Sequence, residues 1–134
     1  MPDLLKEFLV IAALVALGSS YSLVSGLAPA PWVEPELEPG AIRYEDAAAL
    51  DVIWLDARSA EDYAKGHIEG AIHFDEGDWS DALGELMQAW LPHPRPIIIY
   101  CADEACGTSK RVAEQLRDDL PEAEIYHLKG GWQP

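Results

Sequence analysis

The stretch "IIIYCADEACGTSKRVAEQL", Ile97–Leu116, decides the fold. Three isoleucines and a tyrosine follow one another without polar alternation, as expected of a strand covered on both faces. The run stops at Cys101. A polar loop with a second cysteine, Cys106, comes next. From Ser109, the residues Val112, Ala113, Leu116 and Leu120 recur at three- and four-residue spacing, the inward face of a helix. A cysteine so placed sits at the carboxyl end of a buried strand and just before a helix N-terminus. Partial positive charge and unpaired N–H groups gather there, and both favour thiolate, the nucleophilic form, over thiol.

Outward from this unit the pattern repeats. "AIRY" and "AIHF" read as short strands and "EDAAAL" as a helical turn. "VIWLD", Val52–Asp56, is a second buried strand that delivers Asp56 and Arg58 to the same kind of rim. "SAEDYAKG" reads as a helix capped by Ser59 and ended by Gly66. In "DWSDALGELMQAWL", Trp79, Leu83, Leu86 and Trp90 form one helical face. "EIYHL" is the last strand. The alternation predicts an α/β fold with a mainly parallel sheet, in which sites form beyond the carboxyl ends of strands. Asp56 and Arg58 are expected to pair at a strand end. Gly70 permits a tight turn, and His67 packs or bonds locally.

The N-terminal segment has no charged residue between Phe8 and Val33. A helix over Leu4–Ala28 would be roughly 37 Å long at ~1.5 Å per residue, enough for a hydrocarbon core of ~30 Å. The strictly apolar run Phe8–Leu17 also has the length of a signal-peptide core. Against cleavage stand Asp3 and Glu7 beside Lys6, and Pro31 directly after the small-x-small Ala28–Ala30. The expected organisation is an anchor or signal segment over 1–31, a Pro-rich linker over 32–40 and a folded domain over 41–134. Lys6 against Glu34, Glu36 and Glu38 places the domain on the extracytoplasmic, periplasmic side.

Composition sets limits. In 134 residues, 9 Lys+Arg face 24 Asp+Glu, a formal net charge of -15. Such a surface repels phosphates, so nucleic acid is excluded as a partner. Two cysteines make no disulfide framework, and His67, His73, His93 and His127 are scattered, so no metal site is expected.

Taken together, "LDARSAEDYAKGHIEGAIHF", "IIIYCADEACGTSKRVAEQL" and "IYHLKGGW", in that order, resemble the rhodanese homology domain. The resemblance spans about Ile42 to Trp132 and extends to the family's membrane-anchored bacterial variants with two cysteines in the loop. It implies a parallel sheet flanked by helices and a sulfurtransferase without a cofactor. Cys101 would take a sulfane sulfur from a small donor as a persulfide and pass it to a thiol acceptor, small or on a partner protein. Backbone N–H groups of the loop Ala102, Asp103, Glu104, Ala105, Gly107 and Thr108 would cradle that sulfur, with Asp56 and Arg58 supporting and the Gly130–Gly131–Trp132 ending closing the wall. A further short helix beyond "GGW" is expected by the same resemblance and is short or missing here.

The sequence departs from the family's pattern at the loop. Asp103 and Glu104 stand where thiosulfate enzymes carry Arg or Lys, and carboxylates there disfavour an anionic donor. Lys110 and Arg111, in the first helical turn, are the cations placed to compensate. A phosphatase would need an arginine six positions after its cysteine. Gly107 follows Cys101 at that distance and Val112 follows Cys106. Cys106 is a candidate resolving thiol, able to attack a persulfide or sulfenic acid on Cys101. Two alternatives stay open: a thiol–disulfide pair of Cys101 and Cys106, and a membrane-tethered binding module without chemistry.

Overall fold

The structure is a computed structural model and describes residues 2–26, 34–103 and 107–134. The chain divides into two units, 1–36 and 37–134. The first contains helix α1, Pro2–Val24. Its large apolar side chains, Phe8, Leu9, Ile11, Leu14 and Leu17 among them, are exposed. Over Asp3–Ser22 it is long and apolar enough to cross a membrane, a property that a signal sequence shares. The helix end expected at Ala28 and the prolines Pro29 and Pro31 lie outside the described residues.

The second unit is an α/β layer structure. Its elements are β1 (Ala41–Ile42), α2 (Tyr44–Ala48), β2 (Ile53–Asp56), α3 (Ala60–Lys65), β3 (Ile72–His73), α4 (Trp79–Trp90), β4 (Ile97–Tyr100), α5 (Thr108–Asp119) and β5 (Ile125–Leu128). A 3-10 turn over Glu76–Asp78 leads into α4. The five strands form one sheet in the order β1-β5-β4-β2-β3, with every pairing parallel.

The uninterrupted apolar run of β4 now has its explanation. Ile97 and Ile99 point into a core layer with Leu86 of α4 and Val112, Ala113 and Leu116 of α5. Ile98 and Tyr100 point the other way, into a layer with Ala47 of α2, Ile68, Ala71 and Leu128. All four residues of β4 are fully buried, and each isoleucine contributes ~1.5–3 kcal/mol relative to exposure. The helix starts also follow the sequence signals. Ser59 accepts a hydrogen bond from Asp62 N–H at 3.2 Å and caps α3. "AIRY" yields only a two-residue strand, because Tyr44 opens α2 and its ring lies 5.8 Å from that of Trp54.

Candidate active site

Register brings the two polar strand ends together. Asp56 of β2 pairs directly with Tyr100 of β4, so both lie at one rim with Cys101 next in the chain. Ala57 N–H continues the ladder to Tyr100 O at 2.9 Å. Asp56 is fully buried, and Arg58 is 7% exposed. Such a carboxylate is tolerable only when paired and fully hydrogen-bonded. Arg58 Nη2 donates to Asp56 Oδ2 at 2.6 Å, and Arg58 Nε and backbone N–H both donate to Oδ1. Tyr100 hydroxyl donates to Oδ2 at 2.9 Å and accepts from Ile68 N–H at 3.1 Å. The hydrogen bonds from Arg58 to Asp56 raise the guanidinium's pKa further. Burial pushes the Tyr100 phenol well above its usual range, so it stays a donor to Asp56. Arg58 also bonds Gly66 O at 2.6 Å and lies 5.2 Å from the Trp132 ring. One ion pair thereby ties β2 to the end of α3 and to the closing segment.

Cys101 is 2% exposed. Its carbonyl accepts from Trp132 N–H at 2.8 Å, and Trp132 meets the Tyr100 ring edge-on at 5.6 Å. Among the described residues no cysteine is free, and Cys101 is disulfide-bonded. Cys106, Glu104 and Ala105 lie outside the described residues. Of the remaining loop positions, Ala102 is half-buried and its carbonyl accepts from Gln133 Nε2 at 3.3 Å. Gly107 adopts φ 66 as the N-cap of α5, a left-handed conformation that favours glycine. The closing turn touches the loop backbone. A Cβ on Gly131, at φ +69, would stand 2.5 Å from Asp103 N. Gly70 has φ 78, as its turn demands.

Two clefts flank the loop. One, of about 220 Å³, is lined by Arg58, Ser59, His73, Glu76 and Thr108 among others. The other, of about 310 Å³, is lined by Arg58, Asp62, Lys65, Ala102 and Gln133 among others. His67 stacks on Tyr63 at 3.9 Å, with Nδ1 at 2.8 Å from Tyr63 O, and takes no place in either cleft. Among the described residues no group of three or more His, Cys, Asp or Glu is arranged to hold a metal.

Sequence reasoning missed the hydroxyl of Tyr100 and the carboxylate partners of the α5 cations. Lys110 Nζ bonds Glu38 Oε2 at 3.0 Å, and Arg111 Nη2 bonds Glu76 Oε1 at 2.8 Å. Glu38 also meets the buried ring of His127, Oε1 to Nε2, at 3.0 Å. That contact, with Lys110 second, holds the Glu38 carboxyl down at about 2.

A parallel sheet with a buried cysteine at the end of its central strand, backed by an Asp–Arg pair and closed by a Gly–Gly–Trp turn, defines a class of α/β domain. Residues 43–134 match the rhodanese-like domain family, and the chain belongs to it. It is 29% identical over 127 residues to a tRNA sulfurtransferase of Desulfurococcus amylolyticus, covering 95% of this chain and 23% of that protein. The chain thus spans about a quarter of that relative's length. Among solved structures it is similar to the BH2092 protein of Bacillus halodurans, with a TM-score of 0.52 and 25% identity over 68% of this chain and 66% of that one.

Proposed function

We propose that the chain is a membrane-anchored rhodanese-type sulfurtransferase or sulfane-sulfur carrier with Cys101 as its nucleophile. The observation that carries this reading is the position of Cys101: the end of central strand β4, ahead of the left-handed Gly107 that opens α5. The loop N–H groups and the helix N-terminus can stabilise anionic sulfur there without a metal. A thiol reductant first opens the disulfide. The Cys101 thiolate then attacks the outer sulfur of a persulfide R–S–SH. The donor S–S bond breaks, R–S⁻ leaves, and Cys101–S–SH forms. An acceptor thiolate next attacks that outer sulfur, which restores the Cys101 thiolate and yields the acceptor persulfide. Helix α1 anchors the chain, with the domain on the periplasmic side. The tRNA in the relative's name is not carried over, because a net charge of -15 repels a polyanion.

One observation favours a second reading. Cys101 is not free, and a thiol–disulfide cycle with Cys106 would use the same residue. Mass spectrometry of the reduced full chain in detergent, after exposure to a persulfide donor, separates the two. One added sulfur on Cys101, lost in Cys101→Ser and kept in Cys106→Ser, supports sulfur transfer. Loss of two hydrogens without added sulfur refutes it and leaves the redox pair.

A further inference from the structure

Arg58 lines the first cleft, and Arg111 bonds two residues that line it, Glu76 and Thr108. Lys110, its neighbour in α5, bonds Glu38 beside His127 instead. Each has a carboxylate partner drawn from elsewhere in the chain or strand end. Asp56 holds Arg58, Glu38 holds Lys110, and Glu76 holds Arg111. The last two pairs bridge 72 and 35 residues of sequence. Glu76 and Asp75 also line the cleft between the end of β2 and Thr108. Asp103 adds a further carboxylate on the loop itself. The first turn of α5 has in Arg111 the cation an anionic donor would need at this cleft, and the fold neutralises it.

We propose that Glu76 is a specificity-determining residue that, by engaging Arg111 beside this cleft, sets the donor to sulfane sulfur of low charge, such as an organic persulfide, rather than a dianion such as thiosulfate. This rests on the sulfur-transfer reading above. Both donors deliver the same sulfur. With thiosulfate, the Cys101 thiolate attacks the outer sulfur, the S–S bond breaks, sulfite leaves, and Cys101–S–S⁻ forms. They differ in charge at the moment of approach. A carboxylate about 10 Å away in a water-like dielectric slows a dianion roughly 4-fold and a monoanion roughly 2-fold at low salt. At ~0.5 M salt the Debye length falls to about 4 Å and the difference disappears.

The test uses the reduced full chain in detergent, with thiosulfate and with 2-hydroxyethyl persulfide as donors. The readout is the rate of sulfur loading on Cys101 in ~10 mM and in ~0.5 M NaCl. Glu76→Gln is expected to raise kcat/KM roughly 4-fold for thiosulfate and 2-fold for the persulfide at low salt. High salt should erase both gains. Equal changes for both donors, no change for thiosulfate, or gains that persist in high salt overturn the proposal. Glu76 is exposed, so its replacement by Gln leaves the core untouched. If wild type loads no sulfur from either donor, the sulfur-transfer reading itself fails. Loading from the persulfide with an unchanged donor ratio in Glu76→Gln removes only the role of Glu76.

Discussion

Replacing Tyr100 by Phe isolates one hydroxyl at the centre of the site's support. The ring is kept, and with it the contacts to Trp54 at 6.3 Å, Trp132 at 5.6 Å and the Arg58 guanidinium at 5.5 Å. Two hydrogen bonds go. Asp56 Oδ2 loses the donor at 2.9 Å, and Ile68 N–H loses its acceptor at 3.1 Å. A bond to a charged acceptor contributes ~1.5–3 kcal/mol, and a buried N–H left without a partner costs ~1–3 kcal/mol. The phenylalanine ring recovers about 1 kcal/mol, because no hydroxyl has to be stripped of water. The net loss expected is ~1.5–5 kcal/mol. For a domain of roughly 100 residues, that lowers Tm by about 7–24 °C. The assay is thermal unfolding of the full chain in detergent at pH 7, followed by near-ultraviolet circular dichroism. A drop of less than ~3 °C would mean that Asp56 and Ile68 do not depend on the hydroxyl, and the account of the network would be wrong.

Two further expectations concern pH and glycine. Glu38 has its folded pKa lowered from 4.5 to about 2 by His127 and Lys110. The group is deprotonated more readily when folded, so its contribution is full above pH ~4.5 and is lost as pH falls towards 2. The stability difference between wild type and Glu38→Gln, measured by urea titration, should shrink as pH falls from 4.5 to 2; a gap that widens over that interval would contradict the sign. Gly131→Ala places a Cβ 2.5 Å from Asp103 N at positive φ and should cost ~1–3 kcal/mol. Gly84→Ala, inside α4 with nothing within 4 Å of its Cβ, should stabilise by ~0.5–1 kcal/mol. Differential scanning calorimetry of the two variants gives opposite signs if this reading of the loop contact is right.

What the sequence made legible were contacts close in the chain or imposed by periodicity. The Asp56–Arg58 pair spans two residues at the end of an apolar run, and Ser59 sits three before the amide it caps. The buried run Ile97–Tyr100 and the spacing of Val112, Ala113 and Leu116 were equally direct. From sequence Tyr100 is one more apolar strand residue, because its hydroxyl meets partners 44 and 32 residues away. For the same reason Lys110 and Arg111 look, from sequence, like cations available to the loop. Their partners, Glu38 and Glu76, lie in a linker-proximal segment and a 3-10 turn that carry no local signal linking them to α5. Tertiary pairing of this kind has no period and no spacing, so it becomes visible only once the sheet order is known.

That order has a consequence for biosynthesis. Among the described residues β1 pairs only with β5, through Ala41 with His127 and Ile42 with Leu128. The earliest strand to be translated therefore waits for the latest. While β2, β3 and β4 emerge, β4 presents an open edge that β5 will later cover, the kind of surface on which nascent chains aggregate. Ordering cannot proceed steadily from the N-terminus. It completes in one late, long-range step, of the sort that slows parallel folds. The same step delivers Trp132 N–H to the Cys101 carbonyl, so a chain still on the ribosome carries its cysteine before it carries the wall that encloses it.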